Sequence, residues 1–299
     1  MFKIISKQIL AEDVKRLDIL APGIARKVRP GQFVSVSPEE GDERIPLTVV
    51  DHDAAKGTIT LIFQEVGYTT QKLGSIQINE EIFSILGPLG NPAPIAQEGI
   101  VICIATGTGI AQILPVCRAY AKAGNRVIGI IGAKTKSSLI LQSQMRLACY
   151  KLFTTTNDGS FERKGLATDV LKEWLMKQPT QLVYAVGSLE MMQAVSSLTR
   201  EENIKTRVVL NPIMVDCMGL CGSCRVKVAG QMVLSCIDGP EFDGHQVDFA
   251  DLNIRMNAFK PRLDGAGSFD TWQESKKPSS PKSDETKTLT KFLSGFLKS

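Results

Sequence analysis

The chain has 299 residues, 43% of them apolar, and 35 basic and 31 acidic side chains give it a formal net charge of +4. This length accommodates two or three structural units, and the interspersed charges form no extended basic surface for nucleic acid. The amino-terminal segment mixes charged and apolar residues, unlike a signal peptide, and no later run has the length of a membrane span. We therefore expect a cytoplasmic protein, in which cysteines stay reduced and free to bind metal.

Short segments rich in β-branched residues occupy residues 1–96, separated by Gly, Pro and Asp turns. Examples are GQFVSVSP, PLTVVDHD and GTITLIFQEVG. Helical periodicity is weak throughout this stretch. The pattern predicts a small antiparallel β barrel.

Strand and helix patterns alternate over residues 97–210. The strand segments are IVICIAT, RVIGIIGA, KLFTTT, QLVYAVG and TRVVL, and a helical pattern follows each of the first four. Such alternation implies right-handed crossovers and an open, mostly parallel sheet covered on both faces. We therefore predict an α/β nucleotide-binding domain.

The last part of the chain divides into two further segments. Residues 211–250 are rich in Gly and Cys and short of helical pattern, which predicts a small module stabilised by a metal centre. Residues 260–299 are too polar to bury a core, which predicts a disordered tail. Its end, TKFLSGFLKS, could form a short amphipathic helix, although a solvated tail is the favoured interpretation.

Four cysteines lie within twenty residues in the predicted metal-binding module. Asp216, Cys221, Cys224 and Cys236 have the x4 and x2 spacing of a plant-type [2Fe–2S] loop followed by a distant fourth ligand. Cys217 misses the first-ligand position by one residue. Consecutive side chains generally point apart, so the two neighbours are not expected to bind one iron together. We predict Asp216 as the first ligand, with Cys217 as the alternative.

Zinc is the alternative to a cluster, because a CxxC pair with a distant Cys and one further ligand also suits tetrahedral zinc. Gly219 and Gly222 favour the cluster, since a loop that wraps one needs close backbone N–H groups and positive φ angles. The other cysteines occur singly in apolar strand or helix patterns and are expected in the core. They are Cys103, Cys117 and Cys149.

Two groups of residues in the barrel segment suit a flavin dinucleotide. Arg44 can bind a pyrophosphate in a bidentate manner, while the backbone beside Thr48 can lie against an isoalloxazine ring. A Gly–Thr turn at a helix start presents N–H groups to phosphate. The candidate residues are Arg44, Pro46, Leu47, Thr48, Gly67, Thr69 and Thr70. Taken singly, Arg44 also fits a solvated strand end and Thr69 an ordinary helix cap.

These residues are followed by GPLG at 87–90 and by the turn ATGTGIA at 105–111. With them, residues 1–250 resemble the ferredoxin–NADP reductase superfamily. The resemblance implies FAD on the barrel and NAD(P)H at Gly107, Thr108 and Gly109, where missing side chains let the backbone approach a pyrophosphate. The turn departs from the family pattern at Gln112, where Pro is usual, and at Ala105-Thr106, where Gly often stands.

Three later loops, at 157–160, 165–169 and 187–192, resemble the family's nucleotide-side loops. An equally supported interpretation treats them as strand-to-helix turns, with Thr168 or Ser188 as helix caps. Lys134 and Lys136 follow the second strand of this domain, where a ribose or a 2′-phosphate is usually recognised. Loop lysines are usually solvated, so we expect NADH slightly in preference to NADPH.

The cysteine module behind the nucleotide domain is similar to one branch of the superfamily. That branch contains the dihydroorotate dehydrogenase electron-transfer subunit, the sulfide dehydrogenase small subunit and the small subunit of NADH-dependent ferredoxin:NADP oxidoreductase. The resemblance implies a Cys as first ligand in the dihydroorotate proteins and an Asp in the bifurcating ones. Asp216 therefore favours the second group.

The resemblance implies a function as an electron-transfer flavoprotein subunit. NAD(P)H would give a hydride to FAD, a [2Fe–2S] cluster would carry single electrons onward, and a larger flavin and iron–sulfur oxidoreductase subunit would receive them. Thr48 is the candidate for hydrogen bonding near flavin N5. The two histidines, His52 and His245, are expected to lie at the surface or behind the site rather than in catalysis.

Three other functions fit the sequence. One is the electron-transfer subunit of dihydroorotate dehydrogenase in pyrimidine biosynthesis. Another, from a different class, is a non-catalytic subunit that uses its metal module for assembly. The third is a free-standing NAD(P)H reductase in which electron transfer ends at the flavin. Flavin and iron–sulfur absorbance in the purified protein distinguishes the enzyme from the assembly subunit.

Overall fold

The computed structural model describes residues 1–258. The predicted tail at 260–299 lies outside these described residues. Residues 1–256 form one compact unit, which holds every site discussed below.

The amino-terminal part is a nearly closed antiparallel barrel. Its seven strands follow the order β6-β1-β2-β5-β4-β3-β7, and each hydrogen-bonds to its neighbour in antiparallel register. Val34, Val36, Ile59 and Leu61 are among the side chains that fill the interior. The strands are β1 Phe2–Ala11, β2 Val14–Leu20, β3 Phe33–Ser37, β4 Ile45–Asp53, β5 Thr58–Gln64, β6 Glu81–Ile82 and β7 Ser84–Leu89, with helices α1 Pro22–Ala25 and α2 Tyr68–Ser75 between them. The predicted barrel is confirmed.

The α/β part begins with strand β8. Its elements are β8 Ile100–Thr106, α3 Gly109–Lys122, β9 Arg126–Ala133, α4 Gln142–Ala148, β10 Lys151–Thr156, β11 Arg163–Lys164, α5 Ala167–Leu175, β12 Leu182–Val186, α6 Leu189–Glu201 and β13 Lys205–Val209. The strands from β8 to β13 pair in parallel, in the order β11-β10-β9-β8-β12-β13. Successive strands are added on one side of β8 up to β11, and then on its other side from β12 onward. The order of the strands therefore reverses between β8 and β12, which leaves a crevice at their carboxyl ends.

The final segment adds a strand to this sheet. It contains β14 Arg225–Val228, β15 Gln231–Leu234, α7 Ser235–Asp238, β16 Glu241–Asp243 and α8 Phe249–Asn257. β16 pairs antiparallel with β13, and Phe242, Phe249 and Leu252 join the core beneath α6. The cysteine-rich segment is thus fixed to the α/β part by apolar packing as well as by its strand. Its own two-stranded sheet, β14-β15, is small.

The barrel packs directly on the α/β part. Val14, Val50 and Ile62 from barrel strands belong to the same buried cluster as the apolar face of α3. At the rim of this interface, Arg118 Nη1 lies 2.7 Å from Asp51 Oδ2. The flavin-type and nucleotide-type sites are therefore parts of one packed body.

Glu241 is a buried carboxylate where β16 meets β13. Its Oε1 lies 3.4 Å from Nη1 of Arg207, yet neither carboxylate oxygen accepts a hydrogen bond among residues 1–258. Burial raises the pKa of Glu241, although the Tyr184 hydroxyl and the charge of Arg207 act in the opposite direction. The charged form is therefore disfavoured in the folded state.

We expect Glu241→Gln to raise the stability of the chain at neutral pH, by about 1 kcal/mol. A pKa that is higher in the folded state favours folding when Glu241 is protonated, and this advantage is lost as pH rises through the folded value. The gain from the neutral amide should therefore be largest at pH 7 to 8 and disappear at acid pH, on the order of pH 4. Thermal unfolding between pH 4 and 8 measures it.

Glu173→Gln is the matched control, because Glu173 also pairs with an arginine, Arg163, but at an exposed position. Exposed ion pairs contribute little, so this variant should stay near wild type at every pH. A Glu241→Gln protein less stable than wild type at pH 7 would show that attraction to Arg207 outweighs the burial cost.

Candidate functional site

The glycine-rich turn after β8 lies at the predicted crevice. Gly107 has a φ of +57° and donates its N–H to the carbonyl of Gly132, at the end of β9. α3 then begins at Gly109, with Thr108 as its N-cap residue. A Cβ on Gly109 would lie 2.8 Å from the carbonyl carbon of Val186, so the end of β12 approaches this turn too closely for any side chain. The turn exposes backbone where a pyrophosphate could approach.

A cavity of about 900 Å³ opens beside this turn. Its lining includes all three predicted nucleotide-binding residues, Lys134, and residues from each later loop that resembled the nucleotide side. The residues from those loops are Asn157, Leu166, Ala167, Thr168, Gly187, Ser188, Glu190 and Met191. Lys136 is absent from this lining, and its ammonium instead lies 5.4 Å from the ring centroid of Phe161.

The helix-cap interpretation of these loops is only partly met. The Ser188 hydroxyl accepts the N–H of Met191 at 3.3 Å and caps α6. The N-cap residue of α5 is Leu166 rather than Thr168, and its N–H is bound by the Asp169 carboxylate at 2.9 Å. Ser188 therefore both caps α6 and lines the cavity, whereas Thr168 lines the cavity and does not cap α5.

The barrel forms a wall of the cavity that the sequence did not predict. Asp13, Val14 and Gln64 line it from the ends of β2 and β5, and the Gln64 amide donates to the Asp13 carboxylate at 2.5 Å. On the opposite side, Asn211 follows β13. No local pattern marks these four residues, because the packing of distant segments brings them together.

The candidate flavin residues occupy two places on the barrel. Pro46, Leu47 and Thr48 lie in β4, where each pairs with a residue of β3. Arg44 precedes this strand, and its Nη1 is buried without a hydrogen-bond partner among the described residues. A buried cationic nitrogen without a partner is unfavourable unless an anion binds it. This orphaned group fits a flavin pyrophosphate.

The second place is the start of α2. Gly67 is the N-cap residue, and the Thr70 hydroxyl accepts the N–H of Gly67 at 3.0 Å and donates to the Gly67 carbonyl at 2.8 Å. Thr69 is buried and is not the capping side chain. The helix start is thus ordered by Thr70. The N–H groups of the first helical residues, before the first intrahelical bond from Gln71 to Gly67, are available to phosphate.

In the cysteine loop, the Asp216 carboxylate organises the backbone. It accepts the N–H groups of Met218 at 2.8 Å, Leu220 at 3.0 Å and Cys221 at 2.6 Å. Led by the Met218 N–H, these bonds hold the pKa of Asp216 below its usual range. The carboxylate is charged at neutral pH and faces the same turn as Cys221.

The Cys217 thiol is buried. It is 1% exposed and belongs to an apolar cluster with Phe33, Met214, Cys224 and Cys236. Its φ is +65°, in the left-handed region that favours glycine, which costs about 1–2 kcal/mol. Burial raises the pKa of this thiol, and the neighbouring Ser35 hydroxyl opposes the shift. Cys217 therefore packs on the barrel and also beside Cys224 and Cys236.

Of the three remaining cysteines in the loop, Cys224 and Cys236 are in contact, and Cys221 lies apart from them. Sγ of Cys224 lies 3.3 Å from Sγ of Cys236, both buried, whereas Cys221 is exposed with its Sγ 3.1 Å from the Ser223 hydroxyl. The Ser223 hydroxyl lowers the pKa of Cys221, while burial raises that of Cys236 to about 12. Within residues 1–258, no three His, Cys, Asp or Glu side chains converge as for a single metal ion.

The loop nevertheless fits an iron–sulfur cluster in its donor set and its backbone. Three thiols and a carboxylate lie in one short segment, and Gly219 and Gly222 have φ angles of +84° and +65°. A Cβ on Gly219 would lie 2.7 Å from Cγ1 of Ile237, so this residue allows the loop to approach the turn that carries Cys236.

Comparison with known proteins identifies the family. The model of the iron–sulfur cluster binding domain of dihydroorotate dehydrogenase B matches residues 211–248. A dihydroorotate dehydrogenase B (NAD(+)) electron transfer subunit homolog from Thermotoga maritima is 38% identical over 258 residues, which cover 86% of this chain and 91% of that protein. The chain belongs to this family of electron-transfer subunits and their homologues.

Two further comparisons extend this assignment. An uncharacterised Clostridium beijerinckii protein from the adh 3′ region is 40% identical over 269 residues, covering 87% of this chain and 91% of that protein. A solved structure of an NADH-dependent reduced ferredoxin–NADP oxidoreductase, determined to study flavin-based electron bifurcation, matches with a TM-score of 0.83 and 37% identity. It covers 87% of this chain and 94% of that chain.

These findings confirm the resemblance to this branch of the ferredoxin–NADP reductase superfamily and the fold class. The chain is an oxidoreductase-family subunit with an iron–sulfur-binding domain, on a fold for which FAD and NADH are the typical partners. The predicted classes of cofactor therefore agree with the family. None of the helices described in residues 1–258 is long and apolar enough to cross a membrane.

We expect Gly109→Ala to destabilise the chain by about 1–3 kcal/mol, because its new Cβ meets the backbone of Val186. It should also weaken NADH binding, since β12 and the turn must separate. Thermal unfolding and NADH titration measure the two effects. Gly23→Ala is the control, because nothing lies within 4 Å of a Cβ there. Unchanged stability in Gly109→Ala would contradict the close approach.

Proposed function

We propose that this protein is an electron-transfer flavoprotein subunit that moves electrons between NAD(P)H, FAD and a [2Fe–2S] cluster and passes them to a larger oxidoreductase subunit. One observation carries the proposal: the cysteine loop packs on Phe33 of β3, and β3 is hydrogen-bonded to β4, the strand that carries candidate flavin residues. Phe33 itself pairs with Thr48. The candidate flavin and cluster sites are thus separated by a single strand.

The proposed flavin residues divide by chemistry. The unpartnered guanidinium nitrogen of Arg44 would bind a pyrophosphate oxygen. At the α2 start, after the N-cap residue Gly67, the N–H groups of Thr69 and Thr70 would add donors. Pro46 and Leu47 support the ring through their backbone, and the Thr48 hydroxyl is the candidate hydrogen-bonding group near N5. When bound, the flavin accepts a hydride and the cluster carries single electrons.

The proposed nucleotide site is the cavity beside Gly107, Thr108 and Gly109. Its backbone and helix start suit a pyrophosphate, and its barrel wall closes the side nearest the flavin residues. Lys134 lines the cavity but Lys136 does not, so one lysine rather than two is placed to meet a nucleotide. We therefore keep NADH as the proposed substrate.

For the cluster, we propose Asp216, Cys221, Cys224 and Cys236 as ligands. The Asp216 carboxylate shares a turn with Cys221, which supports it as the first ligand, and it stands at the x4 spacing from Cys221. Cys217 is the alternative, because its buried thiol packs beside Cys224 and Cys236 as well as on the barrel. A carboxylate is a harder donor than a thiolate, so it should shift the potential of the cluster and bind less tightly.

The proposed partner surface surrounds the cysteine loop. Large apolar side chains are exposed there, and Leu220, at 84% exposure, is the most accessible of them. The others are Ile213, Val215, Met218 and Ile237. Exposed apolar side chains of this kind are typical of protein interfaces, which supports a partner that binds beside the cluster ligands.

Two partners remain candidates. The T. maritima relative is named a dihydroorotate dehydrogenase B electron transfer subunit homolog, which supports a dihydroorotate dehydrogenase partner in pyrimidine biosynthesis. The matched solved structure, an NADH-dependent reduced ferredoxin–NADP oxidoreductase, supports a partner of that type. The Asp at position 216 favours the group that also contains the sulfide dehydrogenase small subunit. The identity of the subunit that co-purifies from the native host distinguishes them.

We expect the purified protein to show flavin absorbance with an iron–sulfur shoulder. On anaerobic mixing with NADH, the flavin should bleach first and the signal of a reduced cluster should follow in electron paramagnetic resonance. Bleaching without cluster reduction would indicate a reductase that ends at the flavin. A protein without either absorbance would contradict the proposal and support the assembly-subunit alternative.

We expect Cys217→Ser to retain the iron and the resonance signal of the wild type, because Asp216 and not Cys217 is the proposed first ligand. Asp216→Ala should change the signal and lose iron, since it removes a ligand and the acceptor of three loop N–H groups. Iron content and resonance spectra of both variants measure this. Iron loss in Cys217→Ser alone would overturn the ligand assignment.

A further inference from the structure

A second contact joins the barrel to the cysteine module, through Asn91. Its backbone N–H donates to the carbonyl of Gly239 at 2.7 Å. Its side-chain Nδ2 donates to the carbonyls of Ile237 and Asp238, both at 3.0 Å. Three consecutive carbonyls directly after Cys236 are therefore bound by one residue that follows the last barrel strand.

On the barrel side, Asn91 is anchored through its neighbour Gly90. The Gly90 carbonyl accepts Nε2 of Gln32 at 2.8 Å, and Gln32 immediately precedes β3. A Cβ on Gly90 would lie 2.7 Å from the Phe33 ring and 2.9 Å from Cδ of Pro240. The segment is thus wedged between the strand beside the flavin residues and the residues that follow Cys236.

On the module side, Cys236 lies in the single turn of α7. Ser235 donates its N–H to the carbonyl of Cys224 at 3.0 Å, and its hydroxyl donates to the carbonyl of Leu210 at 3.2 Å. The N–H of Leu210 donates to the carbonyl of Pro240 at 2.9 Å. These bonds tie the turn to the α/β sheet, while those of Asn91 tie it to the barrel.

We propose that Asn91 is a positioning residue that fixes the turn carrying Cys236 against the flavin barrel, and so sets the geometry between the flavin and the cluster. The inference rests on the proposed cluster, with Cys236 as a ligand. The two side-chain donors of Asn91 hold the backbone on which that ligand is mounted, as groups behind metal ligands do in other metal sites. Without them, the barrel side of the turn keeps the backbone bond from Asn91 to Gly239 and the packing of Gly90 on Pro240.

The test compares Asn91→Asp and Asn91→Ala with wild type in the full-length protein with its cofactors. Asn91→Asp keeps the size of the side chain but replaces the donor by an oxygen that faces two carbonyls. Asn91→Ala removes the side-chain bonds and leaves the backbone bond to Gly239. The ferrous chelator bathophenanthroline should bleach the cluster about 10-fold faster in both variants, with the larger effect in Asn91→Asp.

Two further readouts separate positioning from general stability. The resonance spectrum of the reduced cluster should shift in both Asn91 variants, while flavin content stays at the wild-type value. Asn125→Ala is the matched control: Asn125 accepts the N–H groups of Glu98 and Gly99 at 2.6 and 2.9 Å and donates to the carbonyls of Ala96 and Tyr120. It should lower the thermal midpoint without faster bleaching or a changed spectrum.

The outcomes distinguish the role of Asn91 from the presence of the cluster. An iron-loaded wild type whose Asn91→Asp variant bleaches at the wild-type rate with an unchanged spectrum overturns the role of Asn91 alone. Equal acceleration of bleaching in Asn125→Ala also overturns it, since that result reflects stability. A wild-type protein without iron overturns the proposed cluster, and this inference with it.

Discussion

The cysteine loop packs on the outer face of β3, and this contact joins the metal-binding module to the barrel. Val34 and Val36 of this strand face the interior of the barrel, while Phe33 packs with the buried cysteines. Every residue of the strand is therefore buried, although its outer face carries Ser35 and Ser37 beside Phe33. The same module is tied to the α/β sheet through β16 and β13. A small segment with little core of its own thereby connects both larger parts.

Much of the fold could be predicted from the sequence, because the signals are local. Alternating β-branched residues and the switch to a strand–helix alternation after residue 99 depend on side chains close together in the chain. Pairing of β16 with β13 is different, since it joins residues more than thirty positions apart, and the apolar side chains that fix it are few. The start of α4 is also set by backbone conformation: Leu141 has a φ of +55°, and the helix begins at Gln142.

The same distinction between local signals and tertiary packing applies to the candidate site. Spacing indicates the glycine turn, the Arg44 strand and the cysteines, because each belongs to one short segment. Spacing could not show that Asp216 binds loop amides while Cys217 turns towards Phe33, since that depends on a left-handed backbone and on a surface supplied by another part of the chain. The barrel wall of the nucleotide cavity and the Asn91 contact likewise could not be predicted from the sequence, because both arise from tertiary packing.

The shared wall of the nucleotide cavity also limits how this protein can be recombined. Asp13, Val14 and Gln64 belong to the barrel, while the turn they face belongs to the α/β part. A chimaera that joined this nucleotide domain to the barrel of a distant relative would therefore keep every glycine of the turn and still present an altered pocket. Nucleotide recognition thus depends on both domains together. A substitution in the barrel wall of the cavity can require a compensating substitution in the α/β part.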